Sequence, residues 1–187
     1  NHDTICALAT ANGIGAIGII RISGDQSFKV VNNVFQGKNL EQAASHTVHY
    51  GFIKDGDEVI DEVMVSVFRA PKTFTAEDSA EISFHGSPHI AKRILEALTA
   101  HGARMAKAGE FTMRAFLNGR IDLSQAESIA DLIASDNESA RKVALNQLKG
   151  VITSEISFLR TDLLNFVSLS ELELDFAEED VEFADRS

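Results

Sequence analysis

Two charged residues stand inside runs that are otherwise apolar, and they are the first candidates for chemistry. Arg21 lies between Ile20 and Ile22 in "AIGIIRIS", and Glu81 opens "EISFHG". In an extended strand the Arg21 side chain points away from the two isoleucines. A guanidinium in such a segment either engages a carboxylate, phosphate or aromatic ring, or snorkels from a sheet edge; the sequence leaves both open. Glu81, at the head of an apolar strand, can accept hydrogen bonds from the N–H groups of a heterocycle. Its neighbours Glu77 and Asp78 could do acid–base work with it, but they fall in a loop where solvated acids are common.

Gly13, Gly15 and Gly18 formally match the G-x-G-x-x-G dinucleotide pattern. That pattern binds a pyrophosphate only when its third glycine opens a helix, because the ligand sits on the helix's first amides. Here "IIRIS" follows, a β-branched, strand-forming segment. A phosphate-cradling P-loop fails as well, since Ile19 and Ile20 occupy the positions of its lysine and hydroxyl residue. The glycines are read instead as a turn between two strands, with positive φ or close backbone approach.

Two further groups are weaker. Arg104, Lys107, Arg114 and Arg120 face Glu110 alone between residues 103 and 120. They form either a basic patch for an anionic ligand or nucleic acid, or an ordinary solvated face, the latter being the reading preferred. The histidine pairs His46/His49 and His85/His89 lack the third ligand that zinc requires. His46 and His49, three apart on an expected strand, point to opposite faces. Structural or capping roles are expected, and no metal site.

The elements that must position these residues differ along the chain. Strands are expected over Thr4–Leu8 and Ala16–Ile22, then a helix through "DQSFKVVNNVF" with Phe28, Val31 and Phe35 at helical spacing. Asp55-Gly56-Asp57 marks a hairpin, with Val63, Val65 and Val67 on one face of its second strand. "AEISFHG" is another strand. "SPHIAKRILEALTAHG" reads as a helix, with Ile90, Ile94, Leu95 and Leu98 in a stripe and Gly102 at its end. Beyond Gly109 strand signals stop. "EFTMRAFLNG" is a short helix, Ser124 and Glu127 have capping-box spacing, and a long helix begins at Asn137. Its stripe of Leu145, Leu148, Ile152, Ile156, Leu159, Leu163 and Phe166 needs partners, and few residues remain to supply them. Gly150 interrupts that helix and marks a bend.

The formal charge is −11, but residues 171–187 carry −7 of it, so the body is nearly balanced and an anionic ligand is not excluded. Cys6 is the only cysteine, which fits a reducing compartment. No apolar run is long enough to span a bilayer and no secretory pattern opens the chain, so a cytoplasmic protein without a membrane partner is expected.

The segments "DTICALAT", "GIGAIGIIRISG", "TFTAEDSAEISFHGS", "AGEFTMRAFLNGRIDLSQAESIADLI" and "LDFAEEDVEF" together resemble the tRNA modification GTPase family MnmE, also called TrmE. The resemblance spans almost the whole chain. It implies an α+β N-terminal domain over residues 1–119, folate-binding and similar in fold to the aminomethyltransferases. An all-α helical-bundle segment over residues 120–187 follows. Departures occur at Ala11-Asn12 and Ala177, where the family often has proline, and at Arg120, where lysine is frequent.

Carried over by position, the resemblance implies that Arg21, Glu81 and Arg120 bind 5-formyltetrahydrofolate. Glu81 suits the pterin's guanidine-like edge, and the two arginines suit carbonyl or carboxylate groups. It also implies a homodimer through the N-terminal domain and an FAD-dependent partner, MnmG (GidA). The family's GTPase domain, which binds GTP, Mg and K, follows the acidic segment and lies outside this sequence, so the chain is expected to be a fragment with no catalytic residue of its own. The full-length function implied is addition of an aminomethyl-type group to the wobble uridine of certain tRNAs. The competing expectations are a stand-alone folate-dependent one-carbon transferase and a dimerisation module without ligand.

Overall fold

The computed structural model describes residues 3–150, 153–165 and 167–168. They fall into two compact units, Asn1–Ile121 and Asp122–Ser187. The first is α+β and the second is helical.

In the first unit a seven-stranded mixed sheet runs in the order β3-β4-β5-β6-β2-β1-β7. The strands are β1 (Ile5–Leu8), β2 (Ile17–Ser23), β3 (Phe35–Gln36), β4 (Thr47–Asp55), β5 (Glu58–Phe68), β6 (Ser79–His85) and β7 (Arg104–Met105). Only β1 and β7 pair in parallel. The β4–β5 hairpin turns at Gly56, whose φ of +58° suits glycine. Strand alternation divides the sheet. Ile20, Ile22, Val63, Val65, Val67 and Ile82 are buried beneath α1 (Ser27–Asn32) and α2 (Pro88–Ala100). At the expected apolar positions of α2, Ile94 and Leu98 are buried, while Ile90 and Leu95 pack partly against the core.

Phe35 does not belong to α1. The helix stops at Asn32, and Phe35 opens β3 opposite Ile53. It reaches the same core from a strand, so its apolar character fitted either assignment. The short strand β7 was not anticipated, since two residues carry no periodicity.

No helix follows the third glycine. Gly18 lies within β2, and a Cβ there would come within 2.4 Å of the Phe84 ring. Gly15 and Gly86 bring two backbones together: the Gly15 amide donates to the Gly86 carbonyl at 2.9 Å, and a Cβ on Gly86 would meet the Gly15 oxygen at 2.5 Å. The glycines therefore permit close packing of chain segments.

In the second unit α4 (Leu123–Ala134) and α5 (Glu138–Leu148) are joined by side-chain to backbone bonds. Gln125 Nε2 donates to the Leu148 carbonyl, and Gln147 Nε2 to that of Ser124. The α4 capping box is formed by Asp122 and Gln125, not by Ser124 and Glu127. Both pairs have the required spacing, and Asp122 has the extended cap backbone. The helix expected from Asn137 onward is not continuous: α5 ends at Leu148, Gly150 takes φ +76°, and residues 153–165 are helical again. Ile156, Leu159 and Leu163 of the expected stripe are exposed; Ile152 and Phe166 lie outside the described residues.

Candidate functional site

Antiparallel register of β2 and β6 sets Arg21 opposite Glu81. Because Ile20, Ile22 and Ile82 point into the core, this pair stands on the other face of the sheet. Arg21 donates from Nε at 2.9 Å and from Nη2 at 2.7 Å, both to Glu81 Oε1. Neither bond uses Oε2, which has no hydrogen-bond partner among the described residues. The Arg21 guanidinium lies 5.1 Å from the Phe74 ring centre and 5.8 Å from that of Phe111. Of the two readings open for Arg21, it engages both a carboxylate and aromatic rings. The side chains remain 29% and 25% exposed, so the pair is accessible without being fully solvated.

They face a cavity of about 490 Å³, within the range of small-molecule sites. Its wall contains Arg21, Glu81 and Arg120, with Phe68, Phe74 and Lys72. All three residues singled out from the sequence thus meet on one concavity of the first unit.

Arg120 reaches it through the way α3 (Glu110–Leu117) ends. Gly119 takes φ +69°, its amide donates to Phe116, and the Arg120 amide donates to Ala115. This Schellman closure needs glycine at the left-handed position and turns the chain so that Arg120 joins the cavity wall.

The remaining wall comes from the loop between β5 and β6, which is tied down by its own polar residues. Asp78 Oδ1 accepts from the Ala70 amide at 2.9 Å, and Thr73 Oγ1 donates to the Glu77 carbonyl at 2.7 Å. Ser23 of β2 donates to Glu77 Oε2 and contacts Thr75 Oγ1 at 2.6 Å. From the C-cap of α3, Asn118 Nδ2 donates to the Thr75 carbonyl at 2.7 Å. Glu77 and Asp78 are therefore structural ligands of the loop, not freely solvated acids. Lys72, Phe68 and Phe74 were missed because cavity walls built from loop residues and strand ends have no period to detect.

The basic patch dissolves in three dimensions. Arg104 bonds Asp3 and Glu110, each at 2.7 Å, and Arg114 bonds Asp3 at 2.6 Å, Glu77 at 3.2 Å and Glu110 at 3.4 Å. The sequence showed one acid near these bases; folding brings in two more, from residues 3 and 77. The bond from Arg104 and the Lys107 amide hold the buried Glu110 carboxyl down to about 2, against the cost of burial. The Asp3 carboxyl is lowered chiefly by Arg104, and the Arg104 guanidinium is raised chiefly by Glu110. Of the four expected bases, Arg120 alone lines the cavity.

His85 Nδ1 pairs with Asp61 at 2.8 Å, which raises the imidazole's pKa. His46 lies outside β4 with φ +61°, and its ring meets Phe68 edge-on. Among the described residues no three His, Cys, Asp or Glu side chains group as metal ligands, and no helix is long and apolar enough to cross a membrane.

A mixed-sheet domain carrying a charged cavity, followed along the chain by a helical domain, defines a modular protein. Residues 4–120 match the family model for the GTP-binding protein TrmE N-terminus, and residues 123–187 that for the MnmE helical domain. The whole chain is 57% identical to the tRNA modification GTPase MnmE of Cytophaga hutchinsonii, 55% to that of Flavobacterium psychrophilum and 53% to that of Bacteroides thetaiotaomicron. It spans 41% of the length of each. The chain belongs to the MnmE (TrmE) family.

Proposed function

We propose that this chain is the reduced-folate-binding and self-associating part of a GTPase that modifies tRNA. The observation that carries the reading is the convergence of Arg21, Glu81 and Arg120 on one cavity of about 490 Å³. Such a volume suits a folate, which has a flat heterocycle at one end and carboxylates at the other. The Glu81 Oε2 atom is available to accept from a pterin's paired N–H groups, and Phe74, 37% exposed, offers an apolar ring face. Arg120 and Arg21 supply donors for carbonyl or carboxylate oxygens. When bound, 5-formyltetrahydrofolate supplies or marks the place of a one-carbon unit; the chain's own residues bind and orient it.

Self-association is supported by the sheet face opposite the helices. There Val48, Tyr50 and Met64 are 55%, 56% and 44% exposed, an apolar patch unusual on a lone domain. Light scattering on the purified chain should give twice the monomer mass. In the longer protein, hydrolysis of GTP with Mg and K and cooperation with the FAD-dependent MnmG would install an aminomethyl-type group on the wobble uridine of tRNA, in the cytoplasm. Those activities rest on the family relationship and on the names of the relatives.

Titration with 5-formyltetrahydrofolate tests the cavity. Parent chain should bind it saturably, and Arg21→Ala and Glu81→Ala should each weaken binding by tenfold or more, as loss of one partner in a desolvated charged contact costs about 2–5 kcal/mol. Unchanged affinity in both variants removes the folate assignment.

A further inference from the structure

The cavity is electrically lopsided. Three cations, Arg21, Lys72 and Arg120, share its wall with one carboxylate, Glu81. The single acid is already engaged by Arg21. The side chains of Lys72 and Arg120 have no hydrogen bond or ion pair among the described residues. Arg69, three residues earlier in the same loop, behaves differently. Its guanidinium is used up on the carbonyls of Leu40, Glu41 and Ala43 and stacks on Phe28. Arg104 and Arg114 are likewise saturated by carboxylates. Among the arginines of the first unit, Arg120 is thus the one left without a side-chain partner among the described residues, and it stands on the cavity wall with Lys72.

Lys72 is exposed, on a loop whose backbone is fixed at both flanks, by Ala70 to Asp78 and by Thr73 to Glu77. The anchoring holds the base of the side chain in place while its ammonium stays solvated. This arrangement suits a flexible polyanion leaving the cavity, for which a mobile point charge serves better than a rigid fork.

Building on the proposed folate reading, we propose that Lys72 is a specificity-determining residue that, beside Arg120, selects reduced folates extended by a chain of γ-linked glutamates. A monoglutamate ends in two carboxylates, and each added γ-glutamyl unit brings one more. The first carboxylates meet Arg120, and those of the extension meet Lys72. The contact is exposed, so its contribution is modest and sensitive to salt.

Calorimetric titration of the full chain with 5-formyltetrahydrofolate as monoglutamate and as triglutamate, at low and high salt, tests this. Parent chain should bind the triglutamate about three- to fivefold more tightly at low salt, the range expected of an exposed ion pair, and the advantage should fade near 0.5 M salt. Lys72→Ala should bind the monoglutamate within about twofold of parent yet lose the preference, and Lys72→Glu should reverse it. Equal binding of the two ligands by parent, or a preference that survives Lys72→Glu, overturns the role of Lys72 while leaving the cavity assignment standing. Failure of parent to bind even the monoglutamate overturns the cavity assignment and this inference together.

Discussion

Two clusters of arginine and carboxylate, both in the first unit, are built from the same groups and differ in saturation. At the start of α3, Arg104, Arg114, Glu110 and Asp3 bond one another many times over, and Glu110 and Arg114 are only 6% exposed. On the cavity wall Arg21 and Glu81 share one oxygen, and the rest of their bonding capacity is open. The closed cluster joins the N-terminal segment, β7, α3 and the cavity loop. The open one has little to hold together, because the ladder between β2 and β6 already sets its register. Ion pairs whose groups are all used serve architecture; ion pairs left incomplete beside a cavity are available to a ligand.

The largest effect that could break this contrast is on stability. Removing one partner of a buried charge cluster leaves the others unpaired, so Glu110→Ala should cost about 3–5 kcal/mol in chemical denaturation. A loss below about 1 kcal/mol would make the closed cluster no more structural than the open one. The pH dependence follows from the same group. The folded Glu110 value of about 2 lies below its ordinary 4.5, so its contribution is present above the unfolded value and is lost as pH falls from about 5 toward 2. Asp3, also lowered, acts in the same direction. Unfolding curves across that window should slope steeply for parent and less steeply for Glu110→Gln.

Next in size is Gly86→Ala, which forces a methyl against the Gly15 carbonyl, where backbone must move; a loss of about 1–3 kcal/mol is expected. No loss would mean that the glycines do not serve close packing. Arg21→Ala should move stability by less than about 1 kcal/mol, since the partly exposed pair has water as an alternative partner. The smallest effect belongs to His85 and Asp61. Here the folded imidazole pKa is raised, so the stabilisation is present below about 6.5 and lost as pH rises through the folded value. His85→Gln should flatten the stability profile there, measured as the midpoint of thermal unfolding.

How much of this was legible depends on what each residue's neighbours in sequence could reveal. Arg21 and Glu81 stood out because a charge breaking a β-branched run is visible without any tertiary knowledge. The failure of the nucleotide motif was equally local, since "IIRIS" cannot open a helix. The role of Arg114 was hidden, because its partners Asp3 and Glu77 lie 111 and 37 positions away. Lys72 and Phe74 were hidden for a related reason: a loop's path is set by tertiary anchors such as Ser23 and Asn118. At α4 two capping boxes matched the spacing, and only backbone geometry chose Asp122. Arg120 entered through family resemblance, and the Schellman turn at Gly119 is the physical reason it reaches the cavity.

If ligand recognition resides in the open cluster and stability in the closed one, the two separate when 5-formyltetrahydrofolate affinity and unfolding midpoint are measured together on Glu81→Gln and Glu110→Gln. Glu81→Gln should lose affinity by tenfold or more at an unchanged midpoint, while Glu110→Gln should lower the midpoint. Glu81→Gln binding as tightly as parent would contradict that separation.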